Sequence, residues 1–259
     1  DLNPEMLGNN FQNTLGVAGD ARLVMEDLVI LLKGKTPRRS MSEWVEDLNR
    51  RRTEFWCQAR EEAGVSSTPL KPRRIIDRLN RHLDQTTIVI ADAGTPTPYI
   101  TRYLRLADER SRFIIPRAYG GLGYAIPAVV GAHFARPDAR LVGLFGDGSL
   151  GMSAGELETI SRLNIPAVLI HFNNATFGWI KALQKLHCDK KYFSVDFNPN
   201  DPATVARGFG LNAISIESPE ELDKGLQTAF ESEGPVFLDV KSEPESDDIP
   251  PVYSWSCAT

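Results

Sequence analysis

The sequence predicts an α/β fold: a doubly wound, mostly parallel sheet with helices on both faces. Three observations carry this. From Pro72 onward, strand-like and helix-like segments alternate, the order expected of strand–helix–strand units and not of hairpins. The apolar runs, residues 141–145 above all, alternate poorly between apolar and polar positions, as strands do when helices cover both faces. With 259 residues, 42% of them hydrophobic and 24% charged, the chain can bury a substantial core.

The elements follow in order. Residues 1–20 are polar and rich in Gly and Asn; 21–32 show helical apolar spacing, ended by Gly34 and Pro37. A second helical stretch spans 42–62, with Trp44, Leu48 and Phe55 on one side and charges on the other. Residues 64–72 read as a linker of Gly, Ser, Thr and Pro. Too little strand signal lies in 1–71 for a compact α/β unit, so these residues read as an appendage and connector, and 72–259 as the main domain. Strands are expected at 87–91, 112–115, 141–145, 167–172, 213–216 and 236–240, and helices at 125–134, 153–163, 202–209 and 219–231. The tail from Pro250 to Trp255 is expected to fold back over the domain or its site entrance. In sheets of this kind, ligands bind beyond the carboxyl ends of the strands.

Composition excludes several function classes. A formal net charge of −5 gives no electrostatic reason to expect nucleic acid. The basic clusters Arg50–Arg52 and Arg73–Arg74 exist, but the first lies among acids on a helix and reads as a solvated face. Three dispersed cysteines, Cys57, Cys188 and Cys257, argue against a disulfide framework or a cysteine-based zinc site and suit a reducing compartment. No apolar run approaches the ~20 residues of a membrane span, and no signal peptide opens the sequence, so a cytoplasmic location is expected. The first residue is Asp, not Met, and need not be a native start.

The chemistry concentrates at strand ends. Phe145-Gly146-Asp147-Gly148-Ser149 closes an apolar strand and precedes a helix whose first turn is expected near Ser153. Glycines there let backbone N–H groups approach an anion, and the following helix end favours negative charge. A carboxylate inside such a loop calls for an intervening hard cation, which takes oxygen ligands from one or two side chains plus phosphate. Taken alone, the turn reads equally as an ordinary surface turn. A second strand end lies 24 residues on, where Ile170-His171-Phe172 runs into Asn173-Asn174. A right-handed crossover of that length makes the two strands neighbours. Asp147, Asn174 and a loop carbonyl from Thr176 then compose a Mg²⁺-diphosphate site. No GxGxxG or GxxxxGK[ST] string follows a strand, which disfavours a nucleotide protein of Rossmann type.

The string GDGS followed by NN, with 24 residues between Gly148 and Asn173, resembles the signature of thiamine-diphosphate enzymes, and its surroundings resemble acetolactate synthase and benzoylformate decarboxylase in particular. The likeness covers nearly the whole chain. The opening DLNPEMLGNN…GVAGDA is similar to the end of that family's central domain, and residues from about 72 to 241 to its diphosphate-binding domain. The resemblance implies the thiamine-diphosphate-binding fold, with thiamine diphosphate and Mg²⁺ as cofactors. It implies Asp147, Asn174 and the Thr176 carbonyl as metal ligands, and diphosphate contacts from Gly146, Gly148 and Ser149 and from the Phe177-Gly178 turn. In Gly120-Gly121-Leu122-Gly123, Leu122 falls on the apolar wedge that bends the cofactor. The Gly120 carbonyl and Leu122 N–H fall on the aminopyrimidine contacts, which gives Leu122 and Gly120 the catalytic positions. Thr95 and Thr97, after Asp92, correspond to a second diphosphate loop; acetolactate synthase carries Gln and His there, and Pro96 lacks an N–H, so which atoms touch phosphate stays open. Trp179, Ile180 and Leu183 fall on the substrate pocket, though ordinary helix packing serves each equally. His171, inside an apolar strand, reads as structural; His187 and Cys188 receive no role.

The resemblance also implies what must come from elsewhere: an activating glutamate on a separate pyrimidine-binding domain or subunit, for which no segment here serves. Glu156 and Glu158 lie too near the Gly-Asp-Gly turn. The implied activity is decarboxylation, carboligation or both on a 2-oxo acid, in a dimer or tetramer of such halves. Open at this point are a natural split subunit against part of a longer chain, the presence of FAD, and a noncatalytic scaffold that keeps the cofactor fold.

Overall fold

The computed structural model describes residues 1–9, 15–35, 42–106, 111–247 and 249; the expected fold-back of the tail from Pro250 to Trp255 lies outside them. By contacts the chain divides into two units, Asp1–Glu54 and Phe55–Thr259.

The first unit holds a short 3₁₀ turn, Pro4–Met6, and helix α1, Ala21–Leu32. Asp20 caps α1, its carboxylate accepting from the Arg22 and Leu23 N–H groups. No residue of α1 is buried: Leu23, Met25, Leu28, Val29, Ile30, Leu31 and Leu32 are all exposed within the unit. Helix α2, Ser42–Gly64, begins here and carries i,i+3 and i,i+4 pairs of Arg50 and Arg51 with Asp47 and Glu54.

In the second unit, the elements after α2 are α3 (Pro72–Leu79), β1 (Ile88–Ala91), α4 (Pro96–Tyr103), β2 (Arg112–Ile114), α5 (Ala125–Ala135) and β3 (Leu141–Gly146). There follow α6 (Asp147–Ser153), α7 (Glu156–Arg162), β4 (Ala167–Asn173), α8 (Gly178–His187), α9 (Pro202–Gly208), β5 (Asn212–Ile216), α10 (Pro219–Glu231) and β6 (Val236–Lys241). All six described strands run parallel, in the order β2-β1-β3-β4-β6-β5. The sequence expectation of a doubly wound sheet is met, and each expected strand falls within two residues of an observed one.

Side-chain alternation along the strands explains the two-sided burial. Val89, Val142, Leu144, Val168, Ile170, Phe172, Leu238 and Val240 face one cluster with residues of α3, α4 and α10. Ile88, Ile90, Leu141, Phe145, Leu169 and Phe237 face the other, with residues of α5, α7 and α9. Of the outer strands, each with one neighbour, β2 is exposed throughout and β5 is half-covered, with Ile216 buried. Helix starts follow local chemistry: α10 opens with Pro219 and a Ser218–Glu221 capping box, and α9 with Pro202 after the Asp201 cap.

Two expectations are corrected. The helix after the Gly-Asp-Gly string begins at Asp147, not near Ser153, because Gly146 is extended (φ −110°, ψ −175°) and turns the strand directly into α6. The expected 153–163 helix is broken at Ala154-Gly155, where Gly155 is a weak helix former, and resumes as α7. The stretch read as a linker is also tied down. Leu70 is fully buried, its N–H donates to the Lys241 carbonyl and its own carbonyl accepts from the Glu243 N–H.

Candidate functional site

The chain runs from β1 to the edge strand β2 and then returns to β3, on the other side of β1. Strand order reverses there, and the crevice beyond the carboxyl ends at such a switch is where open α/β sheets take ligands. A cavity of about 400 Å³ lies at this point. Thr95, Gly120, Leu122, Gly146, Asp147, Gly148, Ser149, Thr176, Phe177, Gly178, Trp179 and Ile180 line it, together with Arg117, which had no sequence signal. Thr97, Asn174 and Leu183 are not among the residues that line the cavity; Asn174 lies behind Asp147 and Thr176. The Thr97 hydroxyl donates to the Asp92 carbonyl at 2.8 Å, and Leu183 lies on α8 outside the lining.

β3 and β4 pair with Gly146 opposite Phe172, so their ends bring Asp147 and Asn174 together. The Asn174 N–H donates to Asp147 Oδ2 at 3.0 Å. Asp147 Oδ1 is buried without a hydrogen-bond partner. Burial pushes the Asp147 carboxyl above its usual range, opposed by the nearby His171 and the Asn174 N–H. Thr176 is fixed by its hydroxyl donating to the Val195 carbonyl at 2.7 Å and by its N–H donating to Asn174 Oδ1 at 3.3 Å. A carboxylate oxygen that is buried and unsatisfied in a cavity wall, beside an amide and between two glycines, suits a cation and a phosphate.

The wedge loop is held from below. Asp92, wholly buried, accepts from the Gly123 N–H at 3.1 Å and the Ala125 N–H at 3.0 Å, which caps α5 and fixes the loop bearing Leu122. Burial raises the Asp92 carboxyl, and these N–H groups and the Ser149 hydroxyl oppose the rise. Gly120 and Gly123 have φ of +64° and +84°, a conformation that suits glycine. Leu122 packs between two glycine positions: a Cβ at Gly94 would lie 3.8 Å from its Cδ2, and one at Gly148 3.5 Å from its Cδ1.

Beneath the site lies a buried polar row that sequence reasoning reached only in part. His171 Nδ1–H donates to Asp239 Oδ1 at 2.9 Å, and His171 Nε2 lies 3.7 Å from Asp147 Oδ1. The Asn173 amide also donates to Asp239. Glu245 was missed altogether. It is fully buried, accepts from the Asn174 amide at 3.2 Å and from the Thr95 hydroxyl, and burial lifts its carboxyl to about 7. In the sequence it sits in Ser-Glu-Pro-Glu-Ser-Asp-Asp, a run that resembles a solvated tail.

The family described as thiamine pyrophosphate enzyme, C-terminal TPP binding domain, matches residues 92–240. The chain belongs to this family. The chain is also similar to curated relatives over nearly its whole length. It is 28% identical over 260 residues to a probable acetolactate synthase large subunit of Methanococcus aeolicus, covering 95% of this chain and 43% of the relative. It is 27% identical over 256 residues to the acetolactate synthase large subunit of Haemophilus influenzae, with 97% and 44% covered. A probable sulfoacetaldehyde acetyltransferase of Rhizobium meliloti is 27% identical over 253 residues, with 90% and 42% covered. The chain therefore spans less than half the length of these relatives. Among the described residues, no helix is long and apolar enough to cross a membrane.

Proposed function

We propose that this thiamine pyrophosphate domain is the diphosphate- and Mg²⁺-holding part of an acetolactate-synthase-like enzyme that decarboxylates or carboligates a 2-oxo acid. The observation that carries the reading is Asp147 Oδ1, buried in the cavity wall with no hydrogen-bond partner, 3.7 Å from His171 Nε2, on a carboxylate bonded to the Asn174 N–H. Asp147, the Asn174 amide oxygen and the Thr176 carbonyl would hold the cation, and Gly146, Gly148, Ser149, Phe177, Gly178 and Thr95 would surround the diphosphate. The cofactor, when bound, supplies a carbon nucleophile and an electron sink. The chain's own task is placement. Leu122 would support the bend of the cofactor, and the Gly120 carbonyl and Leu122 N–H would orient its aminopyrimidine. Trp179 and Ile180 would exclude water on the substrate side, consistent with their place in the lining.

The activating glutamate would come from a separate pyrimidine-binding region, which accords with relatives more than twice as long. Residues 1–71 would be the end of a central domain and its connector; the wholly exposed apolar surface of α1 supports this, since such a helix needs a covering partner.

Calorimetric titration of thiamine diphosphate into the chain with its partner region and Mg²⁺ tests the site. Asp147→Ala is expected to weaken binding by about 100-fold or more, beyond the loss typical of an outer partner. Undiminished binding would remove the assignment. Turnover across a panel of 2-oxo acids separates an enzyme from a scaffold.

A further inference from the structure

We propose that Glu245 is a positioning residue for the cation site, fixing the Asn174 amide so that its oxygen is the atom presented to the metal. The inference rests on the site reading above and adds a residue to it. Four adjacent parallel strands, β1, β3, β4 and β6, end on the same side of the sheet. Their exits carry Thr95, Asp147, Asn174 and Glu245. The backbone after β6 is anchored on both flanks. The Ser242 N–H donates to the Asn173 carbonyl at 2.9 Å, and Lys185 on α8 donates to the Ser246 carbonyl.

This brings the Glu245 carboxylate behind the cavity wall, against Gly178. A Cβ at Gly178 would overlap Glu245 Oε2, so the first residue of α8 must be glycine for the acid to lie there. Glu245 does not line the cavity. Its Oε2 instead accepts from Asn174 Nδ2 at 3.2 Å, while Asn174 Oδ1 faces the Thr176 N–H at 3.3 Å. With Oε2 as the acceptor there, Glu245 selects the amide orientation in which NH₂ points to it and the oxygen is left for the metal side. Without it, only the Thr176 N–H at 3.3 Å and the Thr95 hydroxyl at 3.4 Å hold the amide, and a flip would turn N–H donors toward the cation. Thr95, whose hydroxyl also bonds Glu245, couples the β1 loop to the same carboxylate. Partners that orient metal ligands in this way commonly govern affinity without touching the ion.

The test is Mn²⁺ binding followed by electron paramagnetic resonance, with the full chain, its partner region and saturating thiamine diphosphate. Glu245→Gln keeps the reach and an acceptor but removes the charge; Glu245→Asp keeps the charge but shortens the reach. Orientation predicts near-normal Mn²⁺ affinity for Gln and a loss of ~10–100-fold for Asp and for Glu245→Ala. Should the Ala variant fail to fold, the order of Gln and Asp still decides. The proposal is overturned if Asp retains affinity while Gln loses it, since that marks a charge effect, or if all the variants bind Mn²⁺ as the parent does while Asp147→Ala does not. Retained Mn²⁺ affinity in Asp147→Ala would instead remove the site reading itself.

Discussion

Gly148 illustrates how much a single hydrogen can decide. A Cβ there would lie 2.8 Å from Phe177 Cδ1 and closer still to Cε1, and 3.5 Å from Leu122 Cδ1. Phe177 cannot yield freely, because its ring packs on Phe197 with centroids 4.6 Å apart and its N–H is bonded to the Val195 carbonyl. Gly148→Ala is therefore expected to cost about 1–3 kcal/mol in overpacking and to weaken cofactor binding. Adding Phe177→Ala should recover part of the stability lost, a coupling that a double-mutant cycle in urea would measure. Strict additivity would show that the two positions do not meet. At this scale the sequence was legible where an unusual residue stands at a strand end, as with Asp147 and Asn174. It was illegible where the informative group is an ordinary acid in acidic surroundings. Glu245 differs from Glu243 and Asp247 only through the fold that surrounds it.

Among the elements, the loop between β2 and α5 depends on a residue far from it in sequence. Asp92 ends β1, yet it accepts from backbone N–H groups 31 and 33 residues further on. Asp92→Ala leaves the buried Ala125 N–H unpaired, at about 1–3 kcal/mol, and the half-buried Gly123 N–H at less. The expected outcome is a lower denaturant midpoint together with faster amide exchange at Gly123 and Ala125; unchanged exchange there would refute the anchoring role. The strands themselves were legible because a strand covered on both sides has to be a continuous apolar run, as in residues 141–145. The start of α6 was not. Glycines and a serine suggested a loop, but the extended Gly146 lets the helix begin at once. Nor was Thr97 legible: its hydroxyl could equally have faced a ligand, and only the turn after Asp92 directs it to the backbone.

For the molecule as a whole, both apolar clusters lie entirely within Phe55–Thr259. A chain of residues 55–259 is thus expected to unfold in one cooperative transition, with a Tm within about 5 °C of the full chain, equivalent to roughly 1–2 kcal/mol at this size. Calorimetry of the two would check it, and loss of the cooperative transition in the shorter chain would show that the first unit supports the core. The doubly wound architecture and a ligand place beyond the carboxyl ends of the strands were open to sequence reasoning, since both follow from element order; the switch point between β1 and β3 was not, because it needs the spatial order of the strands. The register that sets His171 between Phe145 and Asp239 was not, because it needs three strands in place.

The strand order has a further consequence for how the protein comes into being. β6 is made after its five companions yet slots between β4 and β5. On the ribosome, those two strands must wait with bare edges until residue 241 emerges, and exposed edges invite pairing with neighbouring chains. Glu245, behind the proposed cation site, follows only a few residues later, so on that proposal a nascent chain would complete the site near the close of translation of this domain.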